Sequence, residues 1–250
     1  MTENGPQEDY QNAVADTWFA TAFGDLYPVV YAHRTVEAAA PEAAFARRQV
    51  ALKPTDRILD CGCGTGRHLI HIAPGCRAAV GLDYSSDLLR RARPQLSPTT
   101  VLIRGDMRRL PFAAEFDVLF SFFTSFGYFS DAENATTAFE MGRILRPGGR
   151  LFLDYLNPIP ILHGLTPYSI RHREGLTIEE TRWIDDRAHR VNKRVRVRRG
   201  VNLLLTYEES VRLYPQDALI ALFEAAGLVI DRIFGACDGS SWEESSPRQI

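Results

Sequence analysis

A chain of 250 residues has room for one large α/β domain, and a globule of that size buries roughly three quarters of its unfolded surface without staples. Hydrophobic residues at 45%, charged residues at 24% and a net charge of −2 exclude a disordered chain and call for no polyanionic partner. The cysteines, Cys61, Cys63, Cys76 and Cys237, make neither a secreted disulfide framework nor a paired-cysteine zinc site, so no metal is expected. Met1 to Asp9 is polar and acidic, unlike a signal peptide, and no apolar run approaches the ~20 residues of a membrane helix. A soluble, cytoplasmic chain without a membrane partner is expected, and the oligomeric state is left open.

In chain order, apolar residues recur at helical spacing from Tyr10 to Phe23, with Val14, Trp18, Phe19, Ala22 and Phe23 on the pattern. A second helical pattern runs from Thr35 to Leu52, with a break predicted at Pro41 and an end at Pro54. From Arg57 the texture changes. Strands are predicted at Ile58-Leu59, Ala78–Leu82, Thr100–Ile103, Phe116–Phe123 and Arg150–Leu156. Helices are predicted between them at Gly66–Ala73, Ser86–Arg93 and Ala132–Leu145, the last followed by an Arg146-Pro147-Gly148-Gly149 turn. This alternation implies a parallel sheet with helices on both faces. Alternating residues from about Ser169 to Leu213 then predict three or four antiparallel strands. A helix over Pro215–Ala226, capped by Gly227, and a strand over Leu228–Phe234 follow. The organisation expected is a lid over 1–52, a core over 53–157, an antiparallel insert over 165–213, and a last helix with closing strands over 214–250.

The run Asp60-Cys61-Gly62-Cys63-Gly64-Thr65-Gly66-Arg67-His68 lies between a predicted strand and a predicted helix. Glycines there let the backbone approach a ligand, and the helix start offers free N–H groups. A dinucleotide fingerprint would place its third glycine at 67, where this chain has Arg. Asp60 would repel a pyrophosphate but suits a cationic ligand bearing an amino group. Asp83 ends the next strand, 23 residues on, where a carboxylate takes both ribose hydroxyls. Asp106 closes the third strand, placed to accept from an exocyclic adenine amine. Three carboxylates facing one crevice point to an adenosine ligand with a cationic, amino-acid-like tail.

These residues resemble motif I of the class I S-adenosylmethionine-dependent methyltransferases, with Asp83, Gly105-Asp106-Met107 and Leu145-Arg146-Pro147-Gly148-Gly149 at the family's later landmarks. The resemblance covers residues 30 to 156 most closely. It implies a Rossmann-like seven-stranded sheet of order 3-2-1-4-5-7-6 with the last strand antiparallel, that strand following Ser246-Pro247-Arg248. It also implies S-adenosylmethionine as methyl donor, S-adenosylhomocysteine as product and a small-molecule acceptor methylated at N, O or C. The cofactor-binding set so implied is Tyr31, Arg34, Asp60, Cys61, Gly62, Gly64, Gly66, Asp83, Tyr84, Asp106, Met107, Ser121 and Phe122.

For the acceptor, Phe122 to Phe129 forms an aromatic loop similar to that of the aminosugar N-methyltransferases, where a His often follows the glycine; here it is Tyr128. Tyr128 and His33 are the catalytic candidates. The segment Leu26 to Arg34 is similar to the lid of that group, with Tyr31 and Arg34 toward the cofactor carboxylate and His33 toward the acceptor. In this fold the segment between strand five and the last helix commonly covers the acceptor. His68 and His71 are expected to be solvated, and Cys61 and Cys63 to be small turn residues rather than nucleophiles. Eight Lys or Arg between Arg182 and Arg199 read as a solvated face, neutralised in part by Glu179, Glu180, Asp185 and Asp186. The alternatives are an RNA or other anionic acceptor bound by that strip, a nicotinamide oxidoreductase, and a non-catalytic S-adenosylmethionine-binding protein. Nucleic acid is disfavoured, since only Trp183 interleaves the basic residues and the Asn/Asp-Pro-Pro-Tyr/Phe loop of base methyltransferases is absent.

Overall fold

The computed structural model describes residues 14–24 and 26–250; Met1 to Asp9 and the start of the first predicted helix, Tyr10 to Ala13, lie outside them. The described residues open with two single-turn helices, α1 (Phe19–Ala22) and α2 (Tyr27–Val30), then α3 (Val36–Gln49). The core follows as β1 (Arg57–Cys61), α4 (Leu69–Ile72), β2 (Ala78–Asp83), α5 (Ser86–Ala92), β3 (Val101–Arg104), β4 (Phe116–Ser121), α6 (Asp131–Arg143) and β5 (Leu145–Leu153). After it come β6 (Tyr155–Leu156), α7 (Pro158–Gly164), β7 (Tyr168–Arg173), β8 (Leu176–Asp185), β9 (Arg190–Arg199), β10 (Asn202–Arg212), α8 (Gln216–Ala225) and β11 (Arg248–Gln249). Among the described residues, no helix is long and apolar enough to cross a membrane.

Strands β1 to β5 form a parallel sheet of order β3-β2-β1-β4-β5. Strand alternation splits its side chains between two cores. Leu59, Val80 and Leu119 pack against Ala138 and Met141 of α6 and Phe223 of α8. Ile58, Ala79 and Phe120 pack on the other face against Phe45 of α3, Ile72 of α4 and Leu89 of α5. Both faces are dry, which is why the strands read as apolar runs.

The end of the sheet departs from the expected seven strands. Leu228–Phe234 is not a strand; Phe234 alone exchanges hydrogen bonds with Ile250, at 2.9 and 3.0 Å. Two-residue β11 pairs antiparallel with β6, the continuation of β5. An antiparallel closing strand therefore sits beside strand five, while the sixth strand is reduced to a single pairing. Leu228 and Ile230 still pack against the core while Val229 is 90% exposed, so the segment alternates as a strand would, but no strand among the described residues pairs with residues 228–233.

Pro41 does not break α3, which runs through it. An interior proline costs about 3 kcal/mol, offset here by the buried face of Ala39, Ala43, Phe45 and Ala46. Helix α6 starts on a capping box, in which Ser130 accepts from the Glu133 N–H and the Glu133 carboxylate accepts from the Ser130 N–H. Ser130→Ala should cost about 1 kcal/mol and lower Tm by roughly 2–4 °C in calorimetry.

The insert is an antiparallel meander of order β10-β9-β8-β7. Its inner face, through Ile178, Val195, Val197 and Tyr207, packs on Trp18, Phe19 and Tyr31 of the lid. Arg194, Arg196 and Arg198 of β9 lie on the other face, where Arg194 pairs with Glu208 at 2.8 Å and Arg198 with Glu179 at 3.6 Å. Glu180 belongs to the inner face, held by Arg171 and Arg182.

Candidate active site

A cleft of about 920 Å³, open to solvent, lies at the carboxyl ends of β1 to β4, where ligands bind in open parallel sheets. One wall is the turn after β1. Gly62, Gly64 and Gly66 adopt φ of +79°, +54° and +77°, and the carboxylate of Asp83 accepts from the N–H of Gly64 at 2.7 Å and of Ser85 at 2.8 Å. Gly62 has a second reason to lack a side chain: a Cβ there would stand 2.7 Å from Cβ of Ser125 in the loop after β4. Backbone can therefore approach a ligand on both sides of that contact.

Of the predicted cofactor residues, Arg34, Gly62, Gly64, Asp83, Tyr84, Asp106, Met107 and Phe122 line the cleft. Asp106 is not a free acceptor. Arg108 grips both its oxygens at 2.7–3.1 Å and, against the opposing effect of partial burial, holds its carboxyl below the usual range. Four predicted positions sit beside the cleft instead of lining it. Cys61 points into the core under α6 and α8, because it alternates with Asp60 along β1. Gly66 lies against Ala92 and Leu96, so its small size serves helix packing. Ser121 is fully buried at the end of β4, and Asp60 is 1% exposed.

Asp60 is the more telling of these. Its Oδ2 has no hydrogen-bond partner, and burial, reinforced by the nearby Asp83 charge, pushes its carboxyl up to about 7. A buried, unpartnered carboxylate oxygen is costly unless a donor or cation completes it. A complementary group stands in the lid. Arg34 has a buried Nε without a partner, its guanidinium lies 4.0 Å over the Phe123 ring, and among the described residues it pairs with no carboxylate. A carboxylate with an unpartnered oxygen, a guanidinium that bonds Tyr27 but no carboxylate, and a glycine cradle match the ammonium, carboxylate and chain of an amino-acid-like tail.

Tyr31 and His33 are not brought to the cleft. Tyr31 turns toward the insert, bonded to Glu209 and Lys193, themselves paired at 2.8 Å. His33 is exposed and is not among the residues that line the cleft. Tyr128 does line the cleft, but as packing: its ring meets Trp18 at 4.9 Å and Phe23 at 5.9 Å. Burial above all, with help from Tyr27 and Glu209, pushes its phenol well above the ordinary range. Arg190 fixes the loop around it by donating to the carbonyls of Tyr128 and Phe129, both at 2.8 Å.

His68 is a correction as well. It is 5% exposed, stacks on Phe122 at 4.0 Å, and bonds Glu42 of α3 at 2.6 Å. His71 is half-buried, its ring nitrogen bonding the Val36 carbonyl at 2.8 Å. Burial, opposed by the Glu42 bond, lowers the His68 pKa. Residues missed altogether include Phe19, Phe23 and Tyr27, which line the cleft mouth beside Tyr128 and Phe129. Helical spacing marked the two phenylalanines as core, and only the aromatic density of the lid hinted at more. All four cysteines are free, and burial raises the pKa of Cys61 and Cys63, so neither thiol is poised to attack. No cluster of three His, Cys, Asp or Glu suited to a metal occurs among the described residues.

Comparison with known proteins agrees with this geometry. A family profile described as a methyltransferase domain matches residues 58–149. The dTDP-3-amino-3,4,6-trideoxy-alpha-D-glucopyranose N,N-dimethyltransferase of Streptomyces venezuelae is 28% identical over 228 residues, 86% of this chain and 93% of that one. The CcbJ methyltransferase of Streptomyces caelestis shares the fold, with a TM-score of 0.74 at 21% identity over 92% of this chain and 96% of its own. CalS10, an amino pentose methyltransferase from Micromonospora echinaspora solved with S-adenosylmethionine bound, matches at 26% identity and a TM-score of 0.65, over 86% of this chain and 94% of its own. With the parallel sheet, the glycine turn and the carboxylates at the strand ends, these matches show an S-adenosylmethionine-dependent methyltransferase acting on a small molecule.

Proposed function

We propose that the acceptor is an amine carried on a small, nucleotide-linked sugar. The observation that carries this reading is the aromatic mouth of the cleft, walled by Phe19, Phe23, Tyr27, Tyr128 and Phe129. Nitrogen gains positive charge as it takes up a methyl group, and ring faces attract such charge where water is excluded. The similar enzyme of Streptomyces venezuelae is named for an amino group on a dTDP-linked deoxysugar, which supports the same chemistry here. The ion-paired outer face of the insert offers little to a nucleic acid.

When bound, S-adenosylmethionine supplies the methyl group on an electrophilic sulfonium. In our reading Asp83 holds the ribose hydroxyls, Met107 packs on the adenine with Asp106 toward its amine, and Gly62–Gly66 cradles the methionine portion. Arg34 takes the carboxylate and Asp60 the ammonium. Tyr128 acts as a wall: a phenol held protonated by burial cannot accept a proton near neutral pH. His33 is not among the residues that line the cleft. The amine therefore loses its proton to solvent before it is enclosed, and the rings orient it and keep water out.

The test offers the purified enzyme S-adenosylmethionine with a panel of nucleotide-linked amino sugars, their hydroxyl counterparts and a demethylated quinone. Methylated amine product, seen by mass, supports the reading; methylation of the hydroxyl sugar or quinone alone overturns it. Tyr128→Phe should keep kcat within a fewfold of the parent, far short of the roughly 10²-fold loss expected on removing a general base.

A further inference from the structure

We propose that Arg248 of the closing strand and Asp154 form a positioning pair that fixes the cleft's floor loop, so that β11 sets cofactor affinity as well as closing the sheet. The loop after β4 places Phe122, Phe123 and Ser125 in the cleft. Phe123 and Thr124 adopt φ of +53° and +59°, a region that side chains other than glycine seldom occupy. Two consecutive residues stay there only if their surroundings hold them.

Asp154 and Arg248 supply that hold. The N–H of Phe123 donates to Oδ2 of Asp154 and the N–H of Thr124 to its carbonyl, both at 2.8 Å. Arg248 donates from Nε to Asp154 Oδ1 at 2.6 Å, and from a terminal nitrogen to Thr124 Oγ1 at 2.9 Å and the Asp154 carbonyl at 3.1 Å. Its guanidinium also lies 5.1 Å from the centre of the Phe123 ring, the ring that Arg34 meets from the lid at 4.0 Å and Arg67 from the glycine turn at 5.0 Å. Asp154 is 3% exposed, and Arg248 is its ion-pair partner at 2.6 Å. The loop cannot shift alone, because Ser125 abuts Gly62 closely enough that no side chain fits between them. A displaced Phe123–Thr124 segment is thereby felt in the glycine turn.

Three variants test the pair: Arg248→Met, Asp154→Asn, and both together, each measured for S-adenosylhomocysteine Kd by calorimetry and for Tm. Arg248→Met should weaken binding about tenfold or more, the scale of lost charge-assisted hydrogen bonds, and lower Tm. In the double variant no unpaired buried charge remains, so Tm should recover while Kd stays high. Unchanged affinity in Arg248→Met overturns the proposal, as does a Kd that follows Tm through all three variants, since both outcomes leave the pair a purely structural role.

Discussion

Asp83→Ala should raise the Kd for S-adenosylmethionine at least about a hundredfold, since two charge-assisted hydrogen bonds to ribose hydroxyls are worth roughly 1.5–3 kcal/mol each. The geometry supports the full loss. Asp83 is 9% exposed at the end of β2, and each oxygen already accepts one backbone N–H, which aims its remaining lone pairs. Alanine removes those acceptors and also leaves the N–H groups of Gly64 and Ser85 without their bonds, loosening the turn that faces the methionine portion. Asp83→Asn should fall between, because one of its two positions becomes a donor. Calorimetry with S-adenosylhomocysteine measures this directly. An Asp83→Ala protein of normal Tm that binds within threefold of the parent would remove Asp83 from the ribose site.

The second large effect is a pH dependence. In the free protein, burial and the Asp83 charge raise Asp60 to about 7, whereas an unfolded aspartate titrates near 4. Folding thus favours the protonated form. The corresponding stability is complete below about pH 4 and is lost as pH rises toward 7. Binding of a ligand ammonium has the opposite sign, because it selects the ionised form. Affinity should therefore improve about tenfold per pH unit up to about 7 and then level, a change of roughly a hundredfold between pH 5 and 7. Calorimetry in two buffers of different ionisation enthalpy should show about one proton released per cofactor bound at pH 5.5. Asp60→Asn should abolish both the slope and the release. A flat affinity from pH 5 to 7 in the parent would separate Asp60 from the ammonium.

The parts legible in the sequence are those set by neighbours in the chain. A strand, a glycine turn and a helix follow one another within about fifteen residues at 57–72, and the period-2 pattern of a parallel strand places Asp60, Asp83 and Asp106 at successive strand ends. The acceptor side was less legible, because its contacts cross long stretches of chain. Nothing local says that Glu42 will bury His68, that Lys193 and Glu209 will draw Tyr31 away from the cofactor, or that Arg248 will reach Asp154. Pro41 and Leu228–Phe234 misled for a related reason. A proline is tolerated where packing outweighs its cost, and an alternating apolar run that packs on the core is still no strand when no neighbouring strand takes up its hydrogen bonds.

The meander from Tyr168 to Arg212 is a single uninterrupted length of chain whose ladder hydrogen bonds run between its own four strands. Its inward side chains back the lid, while the residues assigned to S-adenosylmethionine sit on other elements. Selection can therefore revise the ground on which the lid rests, through a new side chain at Tyr207 or Glu209, while the glycine turn and the strand-end carboxylates stay intact and the change reaches the donor only through Arg34 of the lid. Such a chain can drift in what it methylates while keeping what it methylates with.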